Sequence, residues 1–473
     1  MLETSDIQGL VVRGYGSLSE ARFLLLAVDH PERARAYLRR ICDRVNTAKV
    51  SPETHALQVA FTAKGLEKLG VPESARSSFA REFIEGMDDN IRAESLGDRG
   101  RNDPSPLTWS EQAVHVLLMV YAKDVDTMKH LLDEELPIVK AAFTVVEKTT
   151  RTLDQNREHF GWRDGLSMPN LLGVPKERPR KKQQESWTDP LAPGEIVLGY
   201  PNEYKVQSES PTAELADDPA GHLEPTADGK HKDLGRNGTY LVYRELTQSV
   251  HALWDYLAKQ SKEPGNTPVD RAIALGAKMV GRWPNGAPLV ESPDRDDTER
   301  DDNTFKYAHD DGIGLACPVA SHIRRANPRD ALGAGRDHED SVIMVRKHQM
   351  VRHGRPFGDP VSEKLKPEEI LAAGDDKKQR GLHFICLVGN ISRQFEFVQR
   401  NWIQSANFGG LYKDGDPLTA TRRTGENAND EFTCPAKPVR RKYKGVPQFT
   451  TLVGGGYFFL PGIAALRFIA GHP

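Results

Sequence analysis

The chain has 473 residues, a formal net charge of −3, and 28% charged and 38% hydrophobic residues. That balance is typical of a globular protein with apolar cores, and it lacks the positive charge that binding to nucleic acid or an anionic membrane surface would need. The four cysteines form no CxxC pair, which argues against a zinc ribbon or a redox dithiol. No apolar run reaches the roughly 18–20 residues of a membrane span. The N-terminus shows no signal peptide, so we expect a cytoplasmic protein.

The first third of the chain alternates short apolar runs with amphipathic segments. The run RFLLLAVDH is typical of a strand buried on both faces. The segment after it places Ala34, Leu38, Ile41 and Val45 at helical spacing, with Pro31 in the first turn. The pattern predicts strands at 22–30, 56–63, 113–122 and 141–150, and helices at 31–45 and 124–136. This order indicates an α+β sheet with helices on one face.

The final third of the chain repeats this order of elements. Its pattern predicts strands at 238–246, 341–348 and 381–390, and helices at 249–260 and 391–406. Between the two parts, residues 175–235 are polar and rich in proline and charge, which is typical of a long surface loop. We therefore expect an N-terminal domain at 1–195, a connecting loop at 196–235 and a C-terminal domain at 236–473.

Three stretches contain residues capable of chemistry. The turn GWRDG carries Asp164, although an isolated aspartate between glycines is usually a turn residue. The segment 305–332 holds two histidines, His309 and His322, and a cluster of arginines. Glu396 stands in an apolar helical stretch, where a carboxylate is costly unless it is paired or faces solvent.

Several motifs in series resemble those of the dye-decolorizing peroxidases, a family of haem peroxidases. The family's GxxDG motif is matched by GWRDG at residue 161, and seven further stretches follow in order up to residue 462. They are GEIVLGYPNEY, RNGTYLVYREL, MVGRWPNGAPL with PDRDD, HIRRANPRDAL, MVRHGRPFG, RQFEFVQRNW and GGGYFFLPG. The resemblance implies two ferredoxin-like domains, each an antiparallel sheet with peripheral helices. It also implies haem b bound between sheet and helices, mainly in the C-terminal domain.

The resemblance also implies an axial histidine for the haem iron shortly before HIRRANPR, and His309 stands in that place. An imidazole as the one protein ligand leaves the opposite face of the iron open for peroxide. His322 is the competing residue. We favour His309, because a ligand and an arginine on opposite haem faces need more intervening chain than separates His322 from Arg324.

The family's distal pair corresponds here to Asp164 and Arg324, with Arg325 as the alternative arginine. A base must take a proton from the bound peroxide and return it to the leaving oxygen, while a positive group stabilises the developing charge. Because a carboxyl with a reference pKa near ~3.9 stays ionised in mild acid, we expect the best activity at acidic pH.

The remaining site residues follow from the same resemblance. Glu396 is expected to hold the proximal imidazole, with Asp310 or Asp311 as alternatives. Asn327 is expected behind the distal residues, and Arg324, Arg325 and Arg329 are expected to bind the haem, Arg329 or the surplus arginine through a propionate. Trp402, Tyr307 and Tyr457 are candidates for carrying electrons from bulky donors, although each is also a plausible core residue.

The sequence thus predicts a peroxidase that uses hydrogen peroxide to oxidise dyes and phenolic or other aromatic donors. A haem-binding or haem-handling protein, similar to a deferrochelatase, is the alternative, and a non-catalytic α+β interaction module is the third hypothesis. We expect no nucleic-acid or membrane partner, and self-association is left open.

Overall fold

The structure, a computed structural model, describes residues 2–98, 107–174, 190–262, 268–300, 303–332 and 338–471. Part of the predicted polar loop, at 175–189, lies outside the described residues.

The N-terminal half contains four antiparallel strands of seven to nine residues and one short strand. The strands are β1 (Glu20–Val28), β2 (His55–Phe61), β3 (Trp109–Ser110), β4 (Val116–Ala122) and β5 (Phe143–Arg151). The helices are α1 (Pro31–Ile41), α2 (Ala63–Lys68), α3 (Glu73–Arg76), α4 (Arg81–Glu85), α5 (Asn90–Leu96) and α6 (Val125–Lys140). The four longer strands lie in the order β2-β4-β1-β5, and α1 and α6 make the two crossovers. This is a ferredoxin-like arrangement.

The C-terminal half repeats that arrangement with different strand lengths. Its strands are β6 (Thr212–Glu214), β7 (His231–Asp233), β8 (Thr239–Gln248), β9 (Val351–Arg352), β10 (Arg355–Phe357), β11 (Gly381–Val388), β12 (Phe432–Cys434), β13 (Arg441–Tyr443) and β14 (Thr450–Leu460). The helices are α7 (Val250–Gln260), α8 (Pro268–Val280), α9 (Tyr307–Asp311), α10 (His322–Ala326), α11 (His338–Arg346), α12 (Pro367–Ala373) and α13 (Ile463–Ile469), with π-helical turns at Ser392–Glu396 and Val398–Ile403. The order β10-β11-β8-β14 mirrors that of the first half, while β6 with β7 and β12 with β13 form separate pairs.

The two halves share one sheet. Phe459 of β14 pairs with Phe61 of β2, so that within the described ranges the strands form a single ten-stranded sheet that includes β3 and β9. At the opposite ends, β5 contacts β10, and the Thr150 hydroxyl donates to the Pro356 carbonyl over 2.6 Å. The sheet is therefore closed into a barrel.

Alternating residues of the strands divide the apolar side chains into two layers. Leu24 and Leu26 of β1 pack with Leu38 of α1 and Met128 of α6, outside the barrel. The neighbouring side chains of β1 point to the other face. There they join side chains from both halves in a second buried cluster, which includes Phe23, Leu25, Leu117, Leu241, Tyr243, Ile385 and Phe458.

The expected α+β class with two ferredoxin-like units is confirmed. The strand predicted at 341–348 is wrong, because most of that segment belongs to α11. Ser341 and Val345, one helical turn apart, are buried, while Ile343 between them is 52% exposed. No helix in the described part of the chain is long and apolar enough to cross a membrane.

Candidate active site

Asp164 lies in a tight hairpin. Its N–H donates to the Asn156 carbonyl over 2.9 Å, and the Asn156 side-chain amide donates to the Asp164 carbonyl over 2.9 Å. Gly161 has a φ of +103°, and a Cβ there would lie 3.0 Å from the Leu365 carbonyl oxygen. Both facts require glycine at this turn, which fixes the direction of the chain just before Asp164.

Two tryptophans hold the hairpin against the C-terminal half. The Trp162 and Trp254 rings are stacked with centroids 5.5 Å apart. The Trp162 indole donates to the Arg282 carbonyl over 2.8 Å, and the Trp254 indole donates to the Phe160 carbonyl over 3.0 Å. The motif, which the sequence assigns to the N-terminal domain, therefore packs on α7 and the end of α8.

Glu158 braces the same hairpin through its carboxyl group. It accepts hydrogen bonds from the Phe160 N–H at 2.9 Å, the Trp162 N–H at 3.1 Å and the Gln248 amide at 2.6 Å. Burial raises the pKa of Glu158 to about 7. The sequence reasoning missed this residue, although a glutamate before a Gly-rich turn is the kind of side chain that bonds turn amides.

A cavity of about 390 Å³ lies beside the hairpin, which is within the range of small-molecule and cofactor sites. Asp164, His322 and Arg352 all line it. Much of the remaining wall is apolar and includes Leu253, Val280, Ile323, Leu382, Phe384, Phe395 and Leu418. The cavity thus combines an acid, an imidazole and a guanidinium inside a largely apolar shell.

His322 begins α10, and its imidazole is held by a buried carboxylate. Its Nδ1 donates to Oδ2 of Asp416 over 2.9 Å. The other Asp416 oxygen accepts hydrogen bonds from the Leu418 N–H and from the Thr419 N–H and hydroxyl. Although burial opposes ionisation of Asp416, His322 and these hydrogen bonds hold its pKa well below the usual range. Among the described residues, none forms a hydrogen bond with His322 Nε2, which is left available to the cavity.

Arg352 of β9 lines the cavity close to the hairpin segment. Its guanidinium donates to the Ser167 carbonyl over 3.3 Å, and within the described ranges it forms no ion pair with a carboxylate. Asp164 accepts a hydrogen bond from the Gly165 N–H at Oδ1, while no described residue bonds its Oδ2. One cation and one carboxylate oxygen therefore remain available in the same cavity. Arg352 belongs to the motif MVRHGRPFG, but the motif alone does not predict a role for it.

His309, the expected iron ligand, does not line the cavity. Its side chain is 78% exposed, and its Nδ1 contacts Asp310 at 2.6 Å. An axial ligand must be shielded inside the haem pocket, so this geometry does not support the assignment to His309. The expected alternatives for the carboxylate, Asp310 and Asp311, lie beside it on α9 and are also outside the cavity.

Arg324 likewise points away from the cavity. It is buried, donates to the Cys317 carbonyl over 2.7 Å and the Asp311 carbonyl over 3.1 Å, and stacks on the Tyr307 ring. Residues two apart on an α-helix point about 200° apart, so His322 and Arg324 take opposite faces of α10. The expectation that Arg324 forms the distal pair with Asp164 is not supported.

Arg325 and Arg329 also donate hydrogen bonds to backbone carbonyls, and neither lines the cavity. Arg325 donates to the Trp402 carbonyl at 2.8 Å and the Asp414 carbonyl at 2.9 Å. Arg329 donates to the Phe305 carbonyl at 2.6 Å and lies 3.6 Å from the centroid of that ring. Both are structural cations, and neither is placed to bind a cofactor.

Glu396 and Asn327 differ in their relation to the cavity. Glu396 is outside it, where it accepts from the Tyr457 hydroxyl at 2.9 Å and pairs with Arg92 at 2.7 Å. It therefore does not hold the His322 imidazole. Asn327 lines the cavity, and its buried Oδ1 has no hydrogen-bond partner among the described residues.

The three candidate aromatic residues are all buried. Trp402 lines the cavity and lies edge-on to the His348 and Phe397 rings, with centroids 5.3 and 5.4 Å away. Tyr307 and Tyr457 are fully buried and do not line it.

These residues fit a haem. The cavity offers apolar walls for the macrocycle, an imidazole with an available Nε2 for the iron, and arginines, among them Arg163, Arg282 and Arg352, for carboxylate side groups. The unpartnered Asn327 Oδ1 shows that part of this wall is built for a further polar group.

Comparisons with known proteins show which sequences and folds the chain is similar to. A family profile described as the DyP dimeric alpha+beta barrel domain matches residues 7–153. Peroxidase 2 of Mycetinis scorodonius is 27% identical to the chain, over 98% of the chain and 87% of that protein. Multifunctional dye peroxidase DyP2 of an Amycolatopsis species is 29% identical, over 96% of the chain and 90% of that protein.

Solved structures show the same fold across the chain. An ancestral D-type dye decolorizing peroxidase matches with a TM-score of 0.75 and 25% identity, covering 98% of each chain. A decolorizing peroxidase from Auricularia auricula-judae matches with a TM-score of 0.74 and 22% identity, covering 99% of this chain and 100% of that one. Fold, site and relatives define an oxidoreductase of the peroxidase class. The matching profile, the relatives and the shared fold together support a peroxidase similar to the dye-decolorizing peroxidases, a family of haem enzymes.

Proposed function

We propose that the chain uses hydrogen peroxide to oxidise dyes and phenolic or other aromatic donors, with haem b in the cavity lined by His322, Asp164 and Arg352. One observation carries this proposal: an imidazole backed by Asp416 and an available acid–arginine pair line the same cavity. A solved relative is described as a complex with 2,6-dimethoxyphenol, which supports the phenolic donors.

His322 is the residue available to hold the iron. Haem bound there supplies an iron centre that peroxide oxidises by two electrons and that donors reduce one electron at a time. Asp416 keeps the proton on Nδ1, orients the ring and makes Nε2 a stronger ligand. None of the four cysteines lines the cavity, which favours non-covalent haem b over a thioether-linked haem.

Asp164 and Arg352 supply the proton transfer and the charge stabilisation. Oδ2 of Asp164 accepts a proton from peroxide and returns it to the departing oxygen, which leaves as water. The Arg352 guanidinium opposes the negative charge that builds as the O–O bond breaks. Asp164 lies in the hairpin and Arg352 lies on β9. The hydrogen bond from Arg352 to the Ser167 carbonyl links these two elements.

The same groups favour activity in mild acid. A carboxylate base stays ionised below pH 6, where a histidine base with a reference pKa of ~6.5 is already protonated. The hydrogen bonds from Leu418 and Thr419 hold the Asp416 carboxylate in place beside His322. Trp402, the cavity-lining aromatic residue of the three candidates, is the one we propose as an electron carrier for bulky donors.

The Asp164→Asn variant tests the proposed function. The amide cannot accept the peroxide proton, so kcat/KM for peroxide should fall on the order of 100-fold or more, while the haem spectrum is retained. Asp310→Asn is the matched control, because Asp310 lies on α9 outside the cavity. A steady-state assay from pH 3 to 8 measures both variants. Equal rates for wild type and Asp164→Asn, or release of metal-free porphyrin during turnover, would contradict the proposal.

A further inference from the structure

Met168 lies between the hairpin that carries Asp164 and the strand β9 that carries Arg352. It lines the cavity in the segment that follows Asp164. Its Sδ accepts a hydrogen bond from the Arg352 N–H over 3.4 Å, and the preceding Ser167 carbonyl accepts one from the Arg352 guanidinium over 3.3 Å. The segment Ser167–Met168 thus lies between the hairpin and β9 and sets the distance between them.

We propose that Met168 is a site of oxidation by hydrogen peroxide within the cavity, and that its sulfoxide lowers the enzyme's own turnover. This inference rests on the proposed function, because that function brings peroxide to the residues beside Met168. A thioether is the side chain in this wall that peroxide converts most readily.

The oxidation balances with peroxide alone. A lone pair on Sδ attacks one peroxide oxygen, an S–O bond forms and the O–O bond breaks. The second oxygen takes the remaining proton and leaves as water. Sulfur loses two electrons and peroxide gains two, so the products are methionine sulfoxide and water.

The surroundings of the other methionines set Met168 apart. Met87, Met119, Met128 and Met279 are buried in the core, outside bulk solvent. Met350 also lines the cavity, but no hydrogen bond joins its sulfur to a described residue. Met344 is 36% exposed and does not line the cavity, which makes it an internal measure of oxidation in bulk solution.

The sulfoxide would disturb the active residues through geometry. The sulfoxide oxygen projects beyond the sulfur atom and is a stronger hydrogen-bond acceptor. It would take the place of the sulfur at the contact with the Arg352 N–H. The segment Ser167–Met168 must then move relative to β9. Because Asp164 precedes this segment and Arg352 lies on β9, their spacing changes, and a small displacement of catalytic groups costs much of the rate.

The experiment follows peptide masses in the haem-loaded enzyme during exposure to peroxide. Initial peroxidase rates and absorption spectra are recorded first, so a failure of the proposed function is seen separately as a missing haem band or missing activity. We expect the Met168 peptide to gain one oxygen several-fold faster than the Met344 peptide, with haem bound and in haem-free protein, because the step needs only peroxide. Met168→Leu should retain its own initial rate at least about twofold longer than wild type, whereas Met350→Leu should not.

Two results would overturn the inference. One is loss of turnover with Met168 unmodified in the wild-type enzyme. The other is oxidation of Met168 and Met344 at equal rates with and without haem. Both are read in the wild-type chain, so they remain decisive even if Met168→Leu folds poorly.

Discussion

At the scale of single residues, the role proposed for His322 depends on Asp416. The carboxylate is fully buried, and its hydrogen bonds to Leu418 and Thr419 fix it before any ligand binds. An anionic partner on Nδ1 increases the basicity of Nε2, and it lowers the reduction potential of an iron bound there.

Replacing Asp416 by asparagine should weaken that support without removing the imidazole. We expect a 10- to 100-fold loss of haem affinity or activity, of the order seen for such partners, together with a more positive iron reduction potential. Spectroelectrochemistry measures the potential. Asp414→Asn is the control, since Asp414 is also buried but bonds Thr433 instead. An unchanged potential in Asp416→Asn would refute the role of the carboxylate.

The structure places Asp164 at the cavity, but it does not place there the partners Arg324 and His309 that the sequence predicted. GxxDG is local, so its turn residues can be recognised from spacing alone. The choice between His309 and His322 depends on which side of a short helix faces a cavity, and on Asp416 far along the chain. Arg352 comes from a two-residue strand whose position depends on the whole sheet. Such long-range facts are not encoded in local periodicity.

At the scale of elements, Arg325 anchors α10 to the loop that carries Asp416. Its buried guanidinium donates to the carbonyls of Trp402, Ile403, Ser405 and Asp414. These bonds link the helix of His322 to the chain that leads up to its carboxylate partner.

The Arg325→Met variant should therefore be less stable by about 3 kcal/mol or more, because several buried carbonyls lose their donor. Denaturant unfolding measures the change. Arg400→Met is the comparison, since the Arg400 side chain is about half exposed and its ion pair within the described residues is a long one, with Glu396, so stability should change by less than about 1 kcal/mol. Similar losses in both variants would show that Arg325 is not an anchor.

The elements themselves were predicted unevenly. The strands β1, β2, β4, β5, β8 and β11 follow from apolar runs, and α1, α6 and α7 from helical patterning, all within a few residues of the expected bounds, whereas β14 was not predicted. The segment 341–348 failed because a run of β-branched residues suggests a strand, whereas burial of Ser341 and Val345 selects a helix.

At the scale of the whole molecule, closing the barrel buries ionisable groups that make stability depend on pH. Burial lowers the pKa of His159 to about 4 and those of His353 and His383 to about 3. It raises the pKa of Glu158 to about 7 and that of Glu111 to about 8.

The buried histidines and the buried glutamates change the free energy of unfolding with pH in opposite directions. The unfolded chain binds more protons at the histidines below pH ~6.5, so stability falls as the pH drops through that range. The folded chain binds more protons at the two glutamates above their unfolded value of 4.5, so stability falls as the pH rises through 7 and 8.

We expect the free energy of unfolding to be greatest between about pH 6 and 7, above the acidic range proposed for activity. Urea midpoints from pH 4 to 9 measure this. His353→Gln should flatten the acid side, whereas His309→Gln, at an exposed site, should not. A maximum below pH 5 would contradict the assignment of these buried groups.

The central claim, that His322 holds the haem iron, is tested most directly by absorption spectra of two variants after haem supply. His322→Ala should lose the Soret band or shift it strongly, because the axial imidazole is gone. His309→Ala should match wild type. A normal spectrum for His322→Ala together with a lost band for His309→Ala would show that His309, and not His322, holds the iron.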